Sequence, residues 1–253
     1  MTTLAIVSAL LDEQRGLLDQ LQHARKQVRA GRTFWCGQWE GYDVVLVLSR
    51  IGKVAAASTT ATLIEAFGAE RIVFTGVAGG LGEGIRVGDV VVARDFVQHD
   101  MDSSPLFARY QIPLYGCASF ACDEVMTTLL MEASNAGLTG AGSHFHRELL
   151  IAEPRVHAGL VVSGDRFVSS AQDAADLCAG LQLAGHIPLA VEMEGAAVAQ
   201  VCFDYGVPFA AMRTISDRAD EQAHLDFSAF VQQVASPYAL EIMSKFMKLL
   251  PKK

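Results

Sequence analysis

Two rhythms of apolar spacing alternate along the chain. Short runs rich in branched apolar residues recur, separated by stretches of helical spacing or small residues. Leu4 to Ala9 is the first run and reads as a buried strand. It breaks at Leu11-Asp12-Glu13-Gln14, and a helix is predicted from there through Gln22. Thr33 to Glu40 and Tyr42 to Ser49 flank Gly41 and predict a hairpin. Arg50 to Lys53 reads as a turn, Val54 to Phe67 as a helix of small residues suited to close packing, and Arg71 to Thr75 as a strand. Thr75-Gly76-Val77-Ala78-Gly79-Gly80-Leu81 reads as a glycine-rich turn where backbone can approach a ligand. It matches neither G-x-G-x-x-G nor a Walker loop.

The second half continues the alternation. A turn at Val87 leads into a strand from Val90 to Val97, which ends on the polar run Gln98-His99-Asp100-Met101-Asp102. Ser103 to Cys117 is a long aromatic-bearing loop, and such loops commonly serve as lids or binding elements. Helices are predicted over Asp123 to Asn135, Ala171 to Leu183 and Gly195 to Tyr205. Strands are predicted over Val156 to Ser163, Ile187 to Val191 and Val207 to Thr214. A long amphipathic helix from Phe227 to Leu250 closes the pattern, with a bend or restart at Pro237. Strands interleaved with helices and no linker or repeat predict one α/β domain over residues 1–253. The expected architecture is a three-layer α/β/α sandwich, and the hairpin makes its large central sheet mixed.

Composition narrows the function classes. The 253 residues carry 20 basic and 28 acidic side chains, a net charge of −8, which argues against a nucleic-acid groove. No apolar run reaches the ~18 residues of a membrane span. The start, Met-Thr-Thr, lacks the basic region of a signal peptide. Cys36, Cys117, Cys122, Cys178 and Cys202 form no C-x-x-C pair, so reduced thiols and a cytoplasmic location are expected.

Candidate chemistry gathers at strand ends. Ala190-Val191-Glu192-Met193-Glu194-Gly195 places two carboxylates between an apolar run and a helix start, and Arg213-Thr214-Ile215-Ser216-Asp217 ends a strand on an acid. Open α/β sheets put ligands at such ends. Glu192 and Glu194 read equally well as acids that only charge a helix N-terminus, and on position alone so does Glu13. His99, Asp100 and Asp102 read as a polar strand end at the surface. His144 and His146 share a strand face without a third ligand, so no metal site is expected.

Four separated stretches resemble the bacterial 5′-methylthioadenosine/S-adenosylhomocysteine nucleosidases of the nucleoside phosphorylase superfamily. They are Ile51 to Ala56, Thr75 to Leu81, Val162 to Phe167, and Val191 to Glu194 with Ile215-Ser216-Asp217. Glu13 matches as well, and the likeness spans nearly the whole chain. The resemblance implies the nucleoside phosphorylase-like fold and hydrolysis of an adenine N-glycosidic bond without metal or organic cofactor. It makes Asp217 the general acid on adenine N7 and Glu13 the base that activates water. Glu194 would hold the ribose hydroxyls beside the Met193 backbone. Arg213 would organise the water and Glu13, and Phe167 would stack on adenine. Val168 would offer backbone groups to the base edge, with Gly79, Ser216 and Ile51 also against the substrate. In this family the loop here spanning 103–116 completes the neighbouring subunit's site. Phe107 and Pro113 would then line the partner's pocket in a homodimer.

Three positions depart from the family pattern. Leu10 stands where methionine is frequent, Val77 where serine is frequent, and the loop differs in length. Residues 98–100 and 74–77 look closer to members that also take 6-amino-6-deoxyfutalosine. Two rivals share the fold: a nucleoside phosphorylase, for which Glu13 has no place beside phosphate, and a non-catalytic nucleoside sensor, against which Glu13 and Asp217 both argue.

Overall fold

The first strand already divides the molecule into layers. In β1 (Thr3–Ser8), Leu4 and Ile6 enter one apolar cluster while Ala5 and Val7 enter another. This is the period-two consequence of a strand buried on both faces. The computed structural model of the chain describes residues 3–139, 153–218 and 227–251. After β1 come β2 (Gln22–Arg29), β3 (Arg32–Trp39) and β4 (Tyr42–Leu48), then α1 (Lys53–Phe67), β5 (Arg71–Gly80), β6 (Val90–Gln98) and β7 (Ser119–Ala121). There follow α2 (Glu124–Thr139), β8 (Val156–Ser163), α3 (Ala171–Leu183), β9 (Pro188–Glu192), α4 (Gly195–Tyr205) and β10 (Phe209–Asp217). At the end, α5 (Phe227–Phe230) passes through a π-helical turn (Val231–Ala235) into α6 (Ser236–Leu249).

The ten strands form one mixed sheet in the order β10-β6-β8-β9-β5-β1-β4-β3-β2, with β7 on β6. Strand β10 also pairs with β5, so β5, β9, β8, β6 and β10 close on themselves. Two long apolar clusters flank the sheet. One joins Leu4, Val44 and Leu46 to α2 and α6, and the other joins Val45 and Val47 to α1 and α4. The expected three layers and mixed sheet are both present, and the partial closure is an addition to them. Among the described residues no helix is long and apolar enough to cross a membrane.

Several local expectations are corrected. The helix predicted after Leu11 is instead two single turns of 3₁₀ helix, Asp12–Gln14 and Leu18–Gln20, separated by Gly16 at a φ of 82°. Residue 22 begins β2, an edge strand whose eight residues are all exposed. With no buried face it carries no apolar alternation, and its Arg25, Lys26 and Arg29 suit an edge that must not pair further. The glycine-rich segment is not a turn, since β5 runs on to Gly80 and pairs with β10 and β9. Gln98 and His99 are buried rather than at the surface, with His99 packed on Gly164. Strand β7 is only three residues long and escaped the pattern. The bend expected at Pro237 is the π-helical turn just before it, which is where a residue without an N–H interrupts the ladder. His144 and His146 lie outside the described residues.

Gly195, the first residue of α4, lies flat on the ring of Phe96 from β6, and a Cβ there would fall on ring carbons. Gly195→Ala is therefore expected to lower unfolding free energy by about 1–3 kcal/mol in a denaturant titration. An unchanged midpoint would show that α4 can lift off β6 without cost.

Candidate active site

One pocket collects residues at or just beyond the ends of β1, β5, β8, β9 and β10. Of the residues expected at the site, it is lined by Glu13, Ile51, Gly79, Phe167, Val168, Met193, Glu194, Ser216 and Asp217. Leu10, Val77, Arg166, Glu192 and Phe227 also reach it. Arg213 lies behind this wall and does not line it. Phe107 and Pro113 are half-buried in the 103–116 loop and do not line this chain's pocket.

Glu13 owes its position to the tight turn after β1. Its Oε2 accepts the N–H groups of Ala9 and Leu10 at 2.8 Å each, and Oε1 accepts that of Val77 at 3.1 Å. The carboxylate thus bridges the end of β1 to β5. Gly76 makes the approach feasible, because a Cβ there would lie 2.8 Å from Oε1. Burial pushes the Glu13 carboxyl above its ordinary range, against the pull of the backbone N–H donors and the Arg213 charge.

Glu192 and Glu194 have separate tasks. Glu192 closes β9 and takes the N–H groups of Gly195 at 2.9 Å and of Glu194 at 3.2 Å. The Ser163 hydroxyl donates to Glu192 and accepts the Ala196 N–H at 2.7 Å. So Glu192 is the acid that serves the N-terminus of α4, where unpaired N–H groups favour negative charge. Glu194 makes no such cap and turns into the pocket, where its Oε1 accepts the Gly52 N–H at 2.8 Å. Burial, and then the neighbouring Glu192 charge, push the Glu194 carboxyl up to about 8.

Arg213 is almost wholly enclosed, and Glu192 is its ion-pair partner at 2.7 Å. Its other guanidinium nitrogen donates to the carbonyls of Phe74 and Met212, and its carbon stands 4.0 Å over the Phe74 ring. It makes no hydrogen bond to Glu13 and reaches it through charge alone. Ser216 Oγ donates to Asp217 Oδ2 at 2.7 Å at the end of β10. Phe167 keeps its ring part-exposed, at 44%. The backbone N–H and C=O of Val168 have no protein partner among the described residues.

Sequence reasoning gave Glu192 only the helix-charging role that it shared with Glu194, and it passed over Gly52, Gly76 and Ser163 as individual residues. The only available signal for Glu192 was an acid ending an apolar run. Its partner Arg213 is 21 residues away in the chain, so the pairing is legible only in the fold. The site offers two acids on the pocket wall with opposite tasks open to them, a third acid beside a backbone donor, and an aromatic face. That set can protonate a leaving group, activate water and grip vicinal hydroxyls.

The chain is similar to known proteins over nearly its whole length. Residues 3–248 match the family model described as the phosphorylase superfamily. A 5′-methylthioadenosine/S-adenosylhomocysteine nucleosidase of Chromohalobacter salexigens is 35% identical over 252 residues, 98% of each chain. The crystal structure of a like-named enzyme of Neisseria meningitidis, in complex with methylthio-immucillin-A, is similar with a TM-score of 0.86 and 34% identity, covering 99% of this chain and 100% of that one. A futalosine hydrolase of Helicobacter pylori is similar with a TM-score of 0.83 and 30% identity, covering 98% of both chains.

Arg213→Met would leave Glu192 as a buried, unpaired charge. Its cost is expected at about 3–5 kcal/mol of unfolding free energy at neutral pH, and Glu192→Leu in the same chain should recover part of it. A loss below about 1 kcal/mol would mean that helix α4 alone neutralises Glu192.

Proposed function

The chain belongs to the phosphorylase superfamily and, within it, to the 5′-methylthioadenosine/S-adenosylhomocysteine nucleosidases, and from that footing we propose that its pocket hydrolyses the N-glycosidic bond of those two nucleosides. The products are adenine and the thioribose. One observation carries the assignment of roles: Glu13 and Asp217 come from opposite ends of the sequence yet line one pocket, with Glu194 between the pocket and the Gly52 N–H.

The chemistry asks for three things, and each has a candidate. An adenine anion is a poor leaving group, so N7 must receive a proton as the bond breaks. Asp217 delivers it, with the Ser216 hydroxyl holding the carboxyl in place. Water must attack the anomeric carbon from the face opposite the base. Glu13 takes its proton, and a carboxyl raised by burial is a stronger base than an exposed one. The ribosyl group gains oxocarbenium character, which the anionic surroundings favour. Glu194 accepts the ribose hydroxyls beside Met193, Phe167 stacks on the base, and Val168 offers its unpaired backbone groups to the base edge. Gly79 brings bare backbone against the substrate. Leu10 and Ile51 give the thioether an apolar wall. Val77 supplies its N–H to Glu13 rather than a side-chain hydroxyl to the water.

The same reading includes a homodimer. Ile51, Val54, Leu106, Leu114 and Phe203 are exposed apolar side chains, just before and on α1, on the 103–116 loop and on α4. A second copy covering them would bring Phe107 and Pro113 to the neighbouring site. The five cysteines are free thiols, in keeping with a cytoplasmic enzyme of methionine salvage. The likeness to a futalosine hydrolase supports 6-amino-6-deoxyfutalosine as a further substrate.

Adenine release from methylthioadenosine in phosphate-free buffer tests the reaction. Full turnover without phosphate is expected, with Asp217→Asn and Glu13→Gln each slower by at least about 10²–10⁴-fold. A requirement for phosphate, or an Asp217→Asn enzyme near parental rate, overturns the assignment. The raised Glu194 carboxyl gives a second test. It is protonated in the free protein below pH about 8 and must ionise to accept two hydroxyls. Binding of a ribose-bearing inhibitor should therefore release close to one proton at pH 6.5 and none at pH 9, with affinity falling as pH drops through this range. Calorimetry in buffers of different ionisation enthalpy reads this directly, and proton-neutral binding at both pH values contradicts it.

A further inference from the structure

A second cleft lies on the other side of the segment that carries Glu13. The two cavities share Ala9, and their rims run along neighbouring residues: Leu10 and Ile51 line the first, Leu11 and Arg50 the second. The second cleft carries several charged side chains. Arg15, Lys26, Arg32 and Arg50 line it, together with Asp12 and Asp19. None of the four cations makes an ion pair among the described residues.

Arg50 is the unusual member. It is exposed, and it is held at a φ of 70°, a left-handed conformation that disfavours any side chain with a Cβ. Its one side-chain hydrogen bond among the described residues goes to the Gly31 carbonyl at 2.6 Å, on the turn before β3. That bond aims the guanidinium toward Arg32, whose own ionisation is lowered by burial and by the Arg50 charge. Two guanidinium groups are thus held close without an anion between them. Arg32 is largely occupied by Ser49, Ala30, Ala55 and Ser58, so Arg50 keeps the free donors. Opposite charge is also at hand, since Asp19 is exposed and makes no ion pair among the described residues. Such a pairing of signs fits a zwitterion better than a simple anion.

The substrate reading given above supplies the zwitterion. With adenine at Phe167 and Asp217 and the ribose hydroxyls at Glu194, the 5′-substituent runs along Leu10 and Ile51 toward the shared rim. In S-adenosylhomocysteine that substituent ends in an α-amino acid, whereas in methylthioadenosine it ends in a methyl group. We infer that the second cleft is a specificity subsite for the amino-acid end of S-adenosylhomocysteine, with Arg50 taking the carboxylate and Asp19 the ammonium. The inference rests on the proposed substrate pose. Arg50 and Asp19 touch the tail only and take no part in breaking the bond.

The test is the ratio of kcat/KM for S-adenosylhomocysteine to that for methylthioadenosine, in the parent and in Arg50→Gly and Asp19→Asn. Glycine relieves the left-handed backbone, so the Arg50 variant should melt no lower than the parent, which separates a lost contact from a lost fold. The ratio should fall about three- to tenfold in Arg50→Gly and by a smaller factor in Asp19→Asn, as suits exposed charged contacts. Salt raised to about 1 M should lower the parental ratio and leave that of Arg50→Gly unmoved. An unchanged ratio in Arg50→Gly, or equal loss toward both substrates, overturns the subsite. A parent that turns over neither substrate overturns the nucleosidase reading itself, which is a distinguishable result.

Discussion

The ion pair between Arg213 and Glu192 is the constraint on which the site depends. Three carboxylates, Glu13, Glu192 and Glu194, crowd one buried region, and Arg213 is the buried cation among them. That guanidinium binds Glu192, and the N-terminus of α4 adds its own N–H donors to the same acid. Glu192 thereby has an ion-pair partner, while Glu13 and Glu194 meet burial with backbone donors and only the more distant pull of the Arg213 charge. This is why their carboxyls are pushed upward. A second cation beside Glu13 or Glu194 would flatten that difference. Pairing one acid and leaving two to burial raises the carboxyls of those two above their ordinary range.

The sheet supplies the geometry for this arrangement. Strand β5 leaves β1 after Phe74, stays paired with β10 as far as Gly79, and reaches β9 at Gly79 and Gly80. Because of that shared strand, the ends of β1, β9 and β10 converge within reach of one ligand. The convergence brings backbone close to side chains, and glycine is needed where it does so. At Gly76 the approaching group is the Glu13 carboxylate, and at Gly195 it is Phe96. Each glycine exchanges a side chain for proximity, which turns the glycine-rich run into a strand that carries chemistry.

How much of this was legible in the sequence depended on where burial left a pattern. Strands with two buried faces, such as β1 and β8, were readable as apolar runs, and helices α1, α3 and α4 by small or periodic residues. Strand β2 was not, because an exposed edge strand has no face to mark. The two 3₁₀ turns were misread as one helix, since Leu17 and Leu18 fit helical spacing and only the conformation at Gly16 reveals the break. For the site, local motifs singled out Glu194, Asp217 and Phe167, and all three line the pocket. They could not separate Glu194 from Glu192, because the two acids differ only in which way the chain turns after β9. The helix-capping role first considered for both belongs to Glu192 alone. Arg213 was expected beside Glu13 and lies behind it, with its bonds given to Glu192. Long-range pairing of this kind leaves no trace in spacing.

The same electrostatics bear on why water, rather than phosphate, would be the attacking group. A phosphate entering below the ribose would meet Glu13, Glu192 and Glu194 within a largely buried space. The enclosed guanidinium that could offset its charge is already committed to Glu192 and to two carbonyls. Arg166 reaches the pocket but is exposed and pairs with Asp173 at 3.3 Å. Phosphate sites depend on several free cationic or N–H donors converging on one anion. Here the Val77 N–H, a backbone donor at the pocket wall, is bound by Glu13. A neutral water molecule carries no such penalty, and it finds a carboxylate already positioned to take its proton. The choice between hydrolysis and phosphorolysis thus turns less on any single residue than on the commitment of the buried Arg213 charge to Glu192.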